Sequence, residues 1–149
     1  MEAPQTGTWH SITLRVRYQE TDQMGVVYHG NYVTWLEIAR TDWTRAHGFP
    51  YRDIEERGLL LPVVDVSVQY HSPARYDDEV EVRCKVAEVG PVRLRFEYEV
   101  RLAQESDRLL ATGSSRHVWV DREWKPVRLP KVAPDVYEKL RAAAAQGGE

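Results

Sequence analysis

Between residues 18 and 32 the chain reads Tyr-Gln-Glu-Thr-Asp-Gln-Met-Gly-Val-Val-Tyr-His-Gly-Asn-Tyr, which sets two acids, Glu20 and Asp22, and one histidine, His29, among three turn formers. A carboxylate held in such a segment can act as a nucleophile or as a general base. The segment runs directly into a helical pattern. The first amides of a helix lack internal partners and carry partial positive charge, so an oxyanion can develop there beside the carboxylate. Taken alone, a loop aspartate more often hydrogen-bonds its own turn, and the residues by themselves leave both readings of Asp22 open.

The elements that must hold this segment are legible on either side. Residues 9 to 18 alternate, with Ile12, Leu14, Val16 and Tyr18 opposite Ser11, Thr13, Arg15 and Arg17, as in a half-buried strand. From Tyr32 the period becomes helical through Trp35, Leu36, Ala39, Trp43 and Ala46, and Gly48 with Pro50 ends the run. Asn31 is the expected N-cap. A helical turn is expected over 53–57, followed by a strand with Val64, Val66, Val68 and Tyr70 on its apolar side.

Three more strands follow, joined by short turns at Tyr76-Asp77-Asp78 and Gly90-Pro91. Val80, Val82, Cys84 and Val86 oppose charged neighbours; Leu94, Phe96, Tyr98, Val100 and Leu102 do the same; residues 109 to 120 supply the last, less regular strand. Short turns suit antiparallel pairing, so one long helix against one curved sheet is the economical arrangement. The charged outer sides of the two middle strands imply that only one sheet face is fully covered. A short C-terminal helix is expected between Pro130 and Pro134 and beyond, with a frayed tail from Ala142 to Glu149.

Composition narrows the function classes. A chain of 149 residues fits one domain, with its core over about 9–130 and the C-terminal helix and tail over 131–149, and it is long enough to bury an ordinary core without staples. The net charge of -3 with scattered Lys and Arg excludes a basic nucleic-acid stripe. One cysteine, Cys84, and no zinc-spaced Cys/His cluster fit a reducing cytoplasm and no structural metal. No export signal is read at the N-terminus, and no run is long enough to span a bilayer. The scarcity of Asn, Met and Cys is compatible with a heat-adapted source.

With this element order and this loop, the chain resembles the hotdog-fold thioesterases. It is most similar to the 4-hydroxybenzoyl-CoA thioesterase-like group and, within it, the bacterial Tol-Pal-associated acyl-CoA thioesterase branch. The resemblance is carried by Tyr18, Thr21-Asp22, Gly25-Val26-Val27-Tyr28-His29, Asn31-Tyr32, Glu37, Ala39-Arg40, and Tyr76-Asp77-Asp78 with Val80. It implies an α+β hotdog fold, a five-stranded antiparallel sheet wrapped around the long helix. It further implies subunits joined edge to edge as a homodimer, with active sites at the interface and a homotetramer as the common assembly. The implied reaction is hydrolysis of acyl-CoA to a carboxylic acid and coenzyme A, with no metal or redox cofactor.

Carried over residue by residue, the resemblance makes Asp22 the catalytic carboxylate, either attacking the carbonyl or activating water. The backbone NH of His29 becomes the oxyanion donor, and Tyr28 a wall of the acyl pocket. Gly25 supplies a backbone conformation or a close approach that a side chain would obstruct, and Asn31 sets the helix start. Glu37 is the reserve carboxylate, since some related enzymes use a helix glutamate. Arg93 and Lys125 fall beside the places where the family binds coenzyme phosphates. His71 and His117 are expected to be structural, and Cys84 a small core residue. Two other functions fit less well: a non-catalytic acyl-CoA or acyl-carrier-protein binding subunit, and a hotdog dehydratase using His29 with Glu37.

Overall fold

In a computed structural model, which describes residues 9–147, the alternating segments pair into one five-stranded sheet of order β1-β3-β4-β5-β2, antiparallel at every junction. The strands are β1 (His10–Arg15), β2 (Val63–Tyr70), β3 (Glu79–Val89), β4 (Arg93–Leu102) and β5 (Glu105–Val118). The helices are α1 (Asn31–Ala46), α2 (Tyr51–Glu56), α3 (Leu129–Val132) and α4 (Pro134–Gly147). The order of strand, long helix and four strands is the expected one, and the architecture is α+β.

α1 buries the helical stripe read from the sequence as far as Trp43, while Ala46, its last expected member, is exposed. Tyr32, Trp35, Leu36, Ala39 and Trp43 are each at most 3 % exposed, and burying one of the larger of these side chains contributes about 2 kcal/mol. Opposite them lie the inward residues of the middle strands, Val82, Cys84, Phe96 and Tyr98, all at most 1 % exposed. Gly113 on β5 is required by close packing. A Cβ there would come within 2.9 Å of the Ser67 carbonyl oxygen and 3.1 Å of Leu36 Cδ1. On the outer face the charges are matched across strands, Arg83 opposite Glu99 and Lys85 opposite Glu97, a pattern that fixes register more than it adds stability.

A chain of polar groups runs through this apolar interior. Arg40, 8 % exposed on α1, donates to the hydroxyls of Tyr51 at 3.0 Å and Tyr98 at 3.2 Å. The Tyr98 hydroxyl lies 2.6 Å from Ser115 Oγ, which lies 2.7 Å from Nε2 of His117. Among the described residues no carboxylate pairs with Arg40. His117 is thus a core residue, as expected, and Cys84 likewise, its thiol pushed up by burial.

Several expectations need correction. The first strand ends at Arg15, and Tyr18 begins a 3-10 turn, Tyr18–Glu20, with its ring 76 % exposed and set edge-on against Tyr76. Val16, on the apolar side as expected, is buried just past the strand and donates its amide to the Asp78 carbonyl. The burial of β2 does not alternate as expected: it is one of the sheet's two outer strands, its register with β5 shifts between Val63 and Asp65, and Val64, Val66 and Tyr70 are exposed. The expected C-terminal fraying from Ala142 is overturned as far as Gly147. α4 remains helical to that point, anchored by the buried Val136 and Leu140. The rest of that tail, 148–149, and the N-terminal residues 1–8 lie outside the described residues.

Candidate active site

The loop between β1 and α1 is shaped by a tight hairpin over residues 21–27. Asp22 N donates to Val26 O and Gly25 N to Asp22 O, both at 2.9 Å. Gly25 has φ +81°, the left-handed region in which a Cβ is strained. A Cβ there would meet nothing within 4 Å, so the backbone conformation and not a close approach calls for glycine. The hairpin is pinned to the body of the protein by Val27 N donating to Ala74 O at 2.8 Å.

Asp22 uses one carboxylate oxygen in the turn, Oδ1 accepting from Met24 N at 2.9 Å. Its Oδ2 meets no donor among the described residues. The side chain is half-buried and lines a cavity of about 310 Å³ that also takes in His29, Tyr32, Tyr70 and His71. Turn bonding and a free carboxylate oxygen therefore coexist in one residue.

At the far end of the loop, α1 begins at Asn31 with Gly30 in the N-cap position and no side-chain cap. Asn31 is thus not the cap. Its Nδ2 donates 2.8 Å to the Glu20 carbonyl, which also accepts Tyr28 N at 2.8 Å, and so it ties the helix start to the loop's beginning. Among the described residues the amides of His29 and Gly30 donate to no protein acceptor. They are the unspent amides of a helix N-terminus, and the cavity holding the Asp22 carboxylate includes His29.

Tyr70, at the end of β2, completes the wall. Its hydroxyl donates 2.9 Å to the His29 carbonyl, and burial pushes its phenol up, which keeps it a neutral donor. Tyr32 is likewise pushed up by burial and meets Tyr70 edge-on at 5.1 Å between ring centroids. The sequence alone gives neither Tyr70 nor His71 a part in the site. The visible signal was only an aromatic and a histidine at a strand's end; the proximity to residue 29 comes from the sheet order.

The remaining expected residues are dispersed. Tyr28 is 50 % exposed, meets the His29 ring at a tilt with 4.5 Å between centroids and lies over Gly30, but it is not among the residues lining the Asp22 cavity. Glu37 is exposed on α1 and also lies away from it. Arg93 opens on a separate hollow of about 570 Å³ with Asp65, Glu88 and Arg116. Lys125 sits in the turn after β5, where its amide donates to Asp121 Oδ1. A third hollow, of about 490 Å³ on the outer sheet face, is lined by Lys85, Glu97 and Ser114. Neither of these hollows includes Asp22 or His29. Among the described residues no group of three or more His, Cys, Asp or Glu is placed to hold a metal ion, and no helix is long and apolar enough to cross a membrane.

Comparison with known proteins points to one family. The family model described as the thioesterase-like superfamily matches residues 16–140. YneP of Bacillus subtilis is 36 % identical over 132 residues, 86 % of this chain and 94 % of that protein. The acyl-CoA thioester hydrolase YbgC of Escherichia coli is 34 % identical over 119 residues, 79 % and 87 % of the respective chains. Among solved structures, a DHNA-CoA thioesterase from Staphylococcus aureus superposes with a TM-score of 0.88 at 35 % identity, covering 94 % of this chain and 93 % of its own.

Proposed function

The chain belongs to the thioesterase-like superfamily, and on that footing we propose that it is a thioester hydrolase cleaving acyl-CoA to the free acid and coenzyme A. The observation that carries the site assignment is the sharing of one cavity by the Asp22 carboxylate and by His29, whose amide is unspent. A thioester carbonyl lodged there would place its oxygen on that amide and its carbon before the free Asp22 oxygen.

Two routes balance. In one, Asp22 attacks the carbonyl carbon, the C–S bond breaks to release coenzyme A thiolate, and water then hydrolyses the mixed anhydride. In the other, Asp22 takes a proton from water, the hydroxide adds to the carbonyl, and collapse of the tetrahedral oxyanion expels the thiolate. Both demand the same constellation, and both leave Glu37 as the reserve carboxylate.

Arg93 and Lys125 are exposed and meet no carboxylate partner among the described residues; we assign them to the coenzyme phosphates. The unit of function is a single hotdog domain acting as an edge-joined homodimer or homotetramer in the cytoplasm, within the Tol-Pal-associated branch. The exposed outer strand β2, whose Tyr70 also walls the cavity, supports an assembly in which a second subunit completes the pocket.

The test is thiol release from a panel of short, medium, long and aromatic acyl-CoAs. Asp22→Asn should lose about 100-fold or more in kcat while remaining folded. Full turnover by that variant would remove Asp22 from the reaction. Saturable acyl-CoA binding without any thiol released by the parent protein would instead mark a non-catalytic binding subunit.

A further inference from the structure

We propose that Glu20, a residue outside the reacting cavity, is a positioning residue whose carboxylate fixes the separation between Asp22 and the His29 amide. The inference rests on the thioesterase reading and extends it to a group that touches no substrate.

Glu20 closes the 3-10 turn two positions before Asp22 and is only 7 % exposed. Its Oε1 accepts Arg17 N at 2.8 Å, and its Oε2 accepts the indole Nε1 of Trp35 at 3.1 Å and the Arg17 guanidinium at 3.3 Å. Burial pushes this carboxyl up, but the Arg17 amide, the Trp35 indole and the Arg17 side chain outweigh it and the net shift is downward. The group therefore sits ionised where an unpaired charge would be costly. An apolar side chain would fill the same space without that penalty, so the charge needs a reason.

The reason lies in what the same residue does with its main chain. The Glu20 carbonyl receives both Tyr28 N and Asn31 Nδ2 at 2.8 Å. Through its side chain Glu20 is locked to Trp35, which is 1 % exposed in the core face of α1; through its backbone it receives the far end of the loop. One residue thus joins the segment that carries Asp22 to the segment that carries His29, and both to the buried face of α1. If the carboxylate lets go of Trp35, the carbonyl is free to shift, and with it the gap between the two reacting groups. A displacement of 1 Å at such a distance can cost about 100-fold in rate.

The experiment compares kcat and KM for the best acyl-CoA of the panel in the parent, Glu20→Gln, Asp22→Asn and the double variant. Glutamine keeps the size but must turn its amide nitrogen toward one of the donors. Glu20→Gln is expected to lose about tenfold or more in kcat with KM held within about threefold, because the binding surface is intact while the reacting groups are misplaced. In the Asp22→Asn background the same change should add little, since there is no carboxylate left to misplace. The Trp35 indole proton, followed by NMR, should move when its acceptor is lost.

A kcat within about twofold of the parent, or an equal fractional loss with and without Asp22, would overturn the proposal, the latter marking general loosening. Should Glu20→Gln fail to fold, Trp35→Phe removes the indole donor together with part of the buried ring volume, and carries the same expectation on kcat and KM, read beside its thermal melt. The two readings separate cleanly. An active Asp22→Asn variant defeats the catalytic assignment, whereas an inactive Asp22→Asn beside a fully active Glu20→Gln defeats only the positioning role.

Discussion

The Tyr70 hydroxyl holds the carbonyl of His29 at 2.9 Å, linking the end of β2 to the peptide that opens α1. This contact orients the peptide at the helix start while contributing little to global stability, since the tyrosine is 48 % exposed. Tyr70→Phe should therefore lower kcat about five- to tenfold and move the melting temperature by no more than about 2 °C. A steady-state assay beside a thermal scan checks both halves; unchanged kcat would show that this peptide is held without the hydroxyl.

The oxyanion role assigned to His29 belongs to its backbone, so the side chain should be dispensable to first order. His29→Ala keeps the amide and loses only the ring contacts with Tyr28 and Tyr70. Its kcat should stay within about tenfold of the parent, far above that of Asp22→Asn. A loss as deep as that of Asp22→Asn would move the chemistry to the imidazole.

Gly113 marks the tightest approach between helix and sheet. Gly113→Ala drives a Cβ to 2.9 Å from the Ser67 carbonyl oxygen, a backbone atom that cannot swing aside, and to 3.1 Å from Leu36. The expected cost is about 1–3 kcal/mol of unfolding free energy, read by urea titration. Because Leu36 lies on the buried stripe of α1, some loss of turnover should accompany it.

His117 predicts how stability depends on pH. Burial, then the charge of Arg40, outweigh the Leu61 carbonyl and Asp65 and bring its pKa down from 6.5 to about 4. Between those values the unfolded chain binds a proton that the folded chain refuses. This contribution is complete above the ordinary histidine pKa, declines as pH falls through the window, and falls no further once both states are protonated. The whole difference is about 3 kcal/mol. Urea titrations at several pH values across the window should show the decline, and His117→Gln should flatten it.

The strands of this fold were legible wherever one face was covered. Val80, Val82, Cys84 and Val86 alternate in sequence and are all buried, and the same holds for α1, whose stripe from Tyr32 to Trp43 packs as its spacing requires. Alternation failed to predict burial on β2, where Val64 and Val66 share the apolar side of the pattern and are both exposed. Periodicity reports which residues share a face, not whether anything covers it.

Asp22 and His29, the residues to which the resemblance points, both line one cavity. Tyr28, the expected wall of the acyl pocket, lays its ring across Gly30. Tyr70 and His71 reach the cavity from a strand end 41 residues from His29, a distance no local pattern spans. Glu20 was written in the same motif as Asp22, but its partner Trp35 lies 15 residues on. A buried carboxylate in a short turn looks, in sequence, like any exposed one. Asn31 fits the N-cap preference, and the carbonyl of Glu20 claimed its amide first.

The outer strand β2 supplies part of the cavity wall through Tyr70 and bonds to β5 alone. A chamber bounded by the margin of a sheet has dimensions that depend on what lies against that margin. On the proposed reading that a second copy lies there, specific activity should fall when the protein is diluted, with a midpoint that reports the affinity of one copy for another.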